Sequence, residues 1–149
     1  LRRGTSANFL IGYGKGEAIN LEMTSGDYDA IYPTKGYFAH ANHFIGPRKV
    51  NLNDTARLTY PDTHIRQGVA DRLLEGINEF NKSTLKELFK NHSGYPDSIC
   101  RHGEEYPTDL GRSEAVDTVF SIIMNLTEKN LEITYGQPCM NPYKRYEFN

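Results

Sequence analysis

The sequence predicts an α+β fold in which an antiparallel sheet is covered by two helices. Three observations predict it. Apolar residues alternate with polar ones near both ends of the chain, the spacing turns helical between residues 62 and 89, and short turns join the alternating runs as hairpins. The 149 residues suit one domain over 1–149.

Asn8–Tyr13, the turn Gly14-Lys15-Gly16 and Glu17–Met23 read as a β-hairpin, with Ile19, Leu21 and Met23 on one face and Asn20 and Glu22 on the other. A phosphate loop in Gly12–Gly16 would need a helix to follow, and an alternating strand follows instead. Residues 27–35 are rich in turn formers, and Gly36–Phe44 reads as a buried strand ending at Gly46-Pro47. A loop is expected over 47–61. Ile65, Val69, Leu73, Ile77 and Phe80 then mark a helix entered at Asp62 or Thr63, which Gly68 and Gly76 weaken without breaking. Thr84-Leu85-Lys86-Glu87 has capping-box spacing and opens a second helix that stops near Ser93-Gly94. Ser98–His102 reads as a short extended stretch, followed by a polar loop through about Glu114. The last element is a hairpin, Asp117–Leu126 and Leu131–Gly136, closed by Thr127–Asn130.

Seventeen Lys and Arg against 19 Asp and Glu leave a net charge of -2. No basic field of the kind that binds nucleic acid or an anionic membrane results, so neither is expected as a partner. No apolar run is long enough to span a bilayer, and no signal-peptide core follows Leu1-Arg2-Arg3-Gly4. A soluble, cytoplasmic protein is the expectation. The missing initiator Met and a strand-like start suggest a fragment of a longer chain.

Three histidines offer a metal reading. His40 and His43 would lie three apart on a strand and so face opposite ways, which disfavours a zinc site built from His40, His43 and His102. Cys100 has Arg101 and His102 beside it, yet sequence neighbours on a strand diverge, so a small buried residue is favoured over a nucleophile. Asn-x-Ser/Thr triplets at Asn53, Asn81, Asn91 and Asn125 carry no weight without a secretory route. Asn42 ends the predicted buried strand, and its amide suits either an oxyanion donor, which stabilises charge without titrating, or a structural hydrogen bond.

Further residues add a resemblance. Asn8–Ile11 with Gly16–Glu22, Phe38–Phe44, Asp62–Arg66, Ser98–His102, Thr118–Met124 and Tyr135–Cys139 together resemble the C-terminal half of the acyl-coenzyme A:6-aminopenicillanic acid acyltransferase family. Members are N-terminal-nucleophile (Ntn) hydrolases, related to bile-salt hydrolases and penicillin V acylases. The resemblance implies part of an αββα sandwich, from which a self-cleaved precursor exposes an N-terminal cysteine that attacks an amide or thioester of a small acyl group. It implies Asn42 as oxyanion donor, Arg66 as an arginine near the nucleophile, and Arg101, Ser98 and His40 as substrate-pocket residues. It calls for no cofactor and no metal. The chain has no cysteine before Cys100, so the nucleophile is expected on a missing N-terminal segment and this chain alone is expected to be inactive. The rival expectation is a non-catalytic fragment or binding module with the same half-sandwich, forming a homo-oligomer through the sheet surface left uncovered.

Overall fold

The computed structural model describes residues 6–48, 62–103 and 116–148. Among them, β1 (Ala7–Tyr13), β2 (Glu17–Met23) and β3 (Tyr28–Ile31) form one antiparallel sheet in that order. Strands β4 (Phe120–Asn125), β5 (Asn130–Tyr135) and β6 (Lys144–Glu147) form a second, also antiparallel, and helices α1 (Asp62–Glu75) and α2 (Lys82–Phe89) lie between them in sequence. The class is α+β with two helices, as expected, with the strands divided between two open sheets. No helix among the described residues is long and apolar enough to cross a membrane.

The first hairpin has the expected register, with Ala7 opposite Met23 and Tyr13 opposite Glu17. Gly16 closes its turn at φ +93, a conformation that glycine adopts without a Cβ clash. The polar face of β2 is the buried one: Asn20 and Glu22 are fully buried, while Phe9 and Ile11 on the opposite face of the sheet are half exposed. Residues 38–48 cover that polar face.

This covering segment corrects the strand expected at 36–44. It has no regular structure, and the third strand of the sheet is Tyr28–Ile31, inside the stretch read as turns. Short apolar runs are buried equally well as strand or as coil whose backbone is satisfied by side chains, and here side chains satisfy it.

Helix α1 stops at Glu75, because Gly76 ends it with its N–H shared between the carbonyls of Arg72 and Leu73. The expected apolar stripe is only partly buried. Of it Val69 is inside, Leu73 and Ile77 are half-buried, and Ile65 and Phe80 are exposed, while Leu74, outside the stripe, is buried and Asp62 and Thr63 occupy the inner face of the first turn. The capping box of α2 begins three residues earlier than expected: Asn81 accepts from the Thr84 N–H at 3.0 Å and Thr84 Oγ1 accepts from the Asn81 N–H at 3.1 Å. Lys82 and Lys86 then pair with Glu132 on β5, which holds the Glu132 carboxyl below its ordinary range.

Ser98–His102 forms no strand: bends run through Ser98–Cys100 and irregular backbone follows. Asp97 N–H donates to Gly94 O at 2.8 Å, and Ser98 Oγ to Cys100 O at 2.5 Å, so the segment closes on itself. Strand β6 has no counterpart in the sequence reading, because its residues Lys144–Glu147 are exposed and charged, as suits an edge strand. Asn91 and Asn125 make local turns with their side chains and Asn81 caps α2, while the expected loops at 49–61 and 104–114, with Asn53, lie outside the described residues.

Candidate active site

Residues 39–46 are irregular, so their peptide groups need partners from elsewhere. Fully buried Glu22 supplies three contacts: Oε1 accepts from Ile45 N–H at 2.7 Å and from His40 Nε2 at 2.6 Å, and Oε2 accepts from Gly46 N–H at 3.0 Å. From the other side, Gln67 of α1 accepts from Ala41 N–H at 2.7 Å and donates to Ala39 O at 3.0 Å. The segment is thereby clamped between sheet and helix. Gly46 sits against the carboxylates, where an added Cβ would lie 2.6 Å from Asp29 Oδ2 and 2.9 Å from Glu22 Oε2. We therefore expect Gly46→Ala to destabilise the protein by about 1–3 kcal/mol, readable as a lower urea midpoint; an unchanged midpoint would mean that the clamp is looser than described.

The clamp presents Asn42. Its backbone N–H donates to Thr63 Oγ1 at 2.7 Å, and its Oδ1 accepts from Arg66 Nη2 at 2.7 Å. A guanidinium has only donors, so the contact fixes which end of the amide faces Arg66. Among the described residues the Nδ2 group, with its two N–H donors, has no acceptor, and Asn42 is exposed.

Arg66 is held in turn. Its Nε and Nη2 donate to Asp62 Oδ2 at 3.3 and 3.0 Å, and Arg101 Nη2 donates to the same oxygen. Asp62 is 4% exposed. Burial acts to raise its pKa, but the hydrogen bonds and charges of Arg66 and Arg101 together outweigh burial and bring it below the ordinary carboxylate value.

Beside Arg66 opens a cleft of about 360 Å³. Phe38, Leu74, Leu88 and Phe89 line it with apolar surface, and Arg66 and His40 contribute polar edges. Such a volume suits a small ligand with an apolar body and few polar groups.

The structure thus brings Asn42 and Arg66 into direct contact and sets His40 beside Arg66 on the lining of the cleft, its ring tied to Glu22, with Asn42 next to that lining. Among the described residues, Arg101 joins them through Asp62. Ser98 is fully buried with its hydroxyl committed to Cys100 O, so it offers no surface to a ligand. His40, His43 and His102 do not converge: His43 contacts Thr63 and His64, whereas His102 lies beside His92 and the two cysteines. Burial pushes the Cys100 thiol up to about 11, the reverse of an activated nucleophile. Sequence reasoning missed Glu22, Asp62, Thr63 and Gln67 as site residues. The spacing of Asp62 and Arg66, one helical turn apart, was the available signal for Asp62.

The site stands on segments spread from β2 to the bend at 101, and the chain matches the acyl-coenzyme A:6-aminopenicillanic acid acyl-transferase family over residues 1–139. With that match covering most of its length, the chain belongs to the acyl-coenzyme A:6-aminopenicillanic acid acyl-transferase family.

Proposed function

We propose that the chain is the C-terminal portion of a cysteine Ntn hydrolase or acyltransferase acting on an amide or thioester of a small acyl group. The nucleophilic thiol comes from a segment preceding residue 1. Its sulfur attacks the carbonyl carbon while the α-amine of the same cysteine takes the thiol proton. Asn42 Nδ2 donates to the tetrahedral oxyanion, and the proton passes from the amine to the departing amine or thiolate as the acyl–sulfur bond remains. Water or an amine then takes the acyl group and restores the thiol. Arg66 is the positioning residue, since it engages Oδ1 and aims Nδ2 outward. The observation that carries this reading is that hydrogen bond, made at the edge of an apolar cleft sized for a short acyl chain. Arg101 and Ser98 serve the pocket indirectly, one through Asp62 and the other through the bend at 98–100.

The test uses the full-length protein with a series of acyl thioesters and the matching amides, following thiol or amine release. Short acyl chains are expected to turn over and chains too bulky for the cleft to fail. Absence of turnover with every member would sink the proposal.

One observation favours the binding-module alternative. Phe9, Ile11 and Tyr28 are 48%, 51% and 54% exposed on one face of the first sheet. In the enzyme reading this face packs against the preceding segment, whereas a module would pair two copies through it. Sedimentation of full-length protein separates them, a monomer favouring the first and a dimer lost on Phe9→Lys the second.

A further inference from the structure

A second cluster lies away from the acyl cleft. His92, Cys100, His102 and Cys139 each offer one donor atom, and all four atoms fall within 4.8 Å of one another. We propose that these four side chains bind one structural zinc ion.

Three different pieces of backbone deliver these residues, Cys139 from 37 positions beyond His102. His92 follows the C-terminal end of α2, Cys100 and His102 flank Arg101 in the bend, and Cys139 lies in the turn after β5. Hydrogen bonds fix these pieces to one another. Cys100 N–H donates to Asn91 O at 3.0 Å, Thr118 N–H to Arg101 O at 3.1 Å, and Gly136 N–H to Val119 O at 2.7 Å. Asp117 Oδ1 accepts from both Gly103 N–H at 2.6 Å and Gln137 Nε2 at 2.7 Å, stitching the bend to the turn. The ligands are therefore preorganised by contacts that do not involve the metal.

Four of the six distances between donor atoms can be set against those of a tetrahedral ion, and the two from His92 to the sulfurs are no longer than 4.8 Å. With Zn–S near 2.3 Å and Zn–N near 2.0–2.1 Å, a tetrahedron has edges of about 3.7 Å between sulfurs, about 3.6 Å from sulfur to nitrogen and about 3.3 Å between nitrogens. The two Sγ atoms are 3.5 Å apart, His102 Nε2 lies 3.8 and 3.2 Å from Cys100 and Cys139, and the two Nε2 atoms are 3.0 Å apart. Each measured edge is within a few tenths of an ångström of its target.

The donor chemistry agrees. Two thiolates and two neutral imidazoles form the soft, four-coordinate set that selects zinc over magnesium or calcium. Binding expels both thiol protons to solvent, and the two thiolate charges cancel the charge of the ion, so a neutral unit occupies a partly buried place. Four protein donors leave no position for water, which makes the site structural, tying α2 and the bend to the second sheet. A Cys100–Cys139 disulfide is the competing fate of the same sulfurs, and it requires them to close to about 2.05 Å and removes both thiolates.

The test is made on full-length protein prepared under reducing conditions without a histidine tag. Elemental analysis is expected to give one zinc per chain. Replacement by cobalt is expected to give the visible absorption of a tetrahedral site together with a thiolate-to-cobalt charge-transfer band. Cys139→Ser and His92→Ala alter residues nearer the surface than Cys100, and each is expected to weaken metal affinity by more than the ~10–100-fold typical of losing an outer-shell partner. A chelator should lower the melting temperature of the parent protein and leave that of Cys139→Ser unchanged. Reduced protein that retains no zinc and shows no cobalt spectrum would overturn the proposal, as would an intact mass showing the two cysteines joined in protein taken directly from cells.

Discussion

If Asn42 is the oxyanion donor proposed above, replacing it with alanine in the full-length protein is expected to lower kcat by about 10²–10³. Stability should hardly change, because Asn42 is exposed and its side chain makes a single hydrogen bond among the described residues, to Arg66. Asn42→Asp sharpens the test. A carboxylate keeps an acceptor for Arg66 but presents an acceptor where Nδ2 presented a donor, so turnover should fall at least as far with the fold intact. Parallel measurements of kcat and melting temperature decide the matter. Variants that lose folding without a separate catalytic defect would make Asn42 a structural amide, and variants with normal kcat would remove it from the site.

Asp62→Ala is expected to have the largest effect on stability. Asp62 is the shared acceptor for Arg66 and Arg101, whose side chains are 23% and 12% exposed. Removing the carboxylate leaves Arg101 with the longer 3.8 Å pair to Asp97 and Arg66 with Asn42 Oδ1, and breaking such a largely buried pair costs about 3–5 kcal/mol. Urea denaturation followed by circular dichroism reads the loss directly. The pH dependence has a definite sign. The folded-state pKa of Asp62 lies below its ordinary value of 3.8, so its contribution is fully present above that value and is lost as pH falls through the lower folded one. Asp62→Asn should therefore be less stable at neutral pH and show a flatter acid limb than the parent. An acid limb identical in the two proteins would remove Asp62 from the network.

The hairpins were legible in the sequence because their alternation is local, and their observed registers follow from it. Which face of β2 is buried was not, since the answer lies in the coil that covers Glu22. The strand expected at 36–44 fails for the same reason: the segment is mostly half-buried rather than buried, and the partners of its backbone, Glu22 and Gln67, come from other elements. Asn42 and Arg66 could be named from a resemblance, but their contact spans 24 residues and depends on α1 turning its first polar residues inward. Asp62 looked like a helix-entry residue by position alone, and its second partner, Arg101, lies 39 residues away. The four-residue sulfur and imidazole cluster was invisible for a similar reason: Cys100 and His102 would diverge on a strand, and the bend that Ser98 closes turns them to the same side.

The most direct test of the proposed acyl transfer is the intact mass and N-terminal sequence of the full-length protein, before and after incubation with a short acyl thioester. The expected result is a mature chain beginning with cysteine that gains one acyl group on that residue, with slower gain in Asn42→Ala. A protein with no chain beginning in cysteine, and no acyl adduct after incubation, would contradict it.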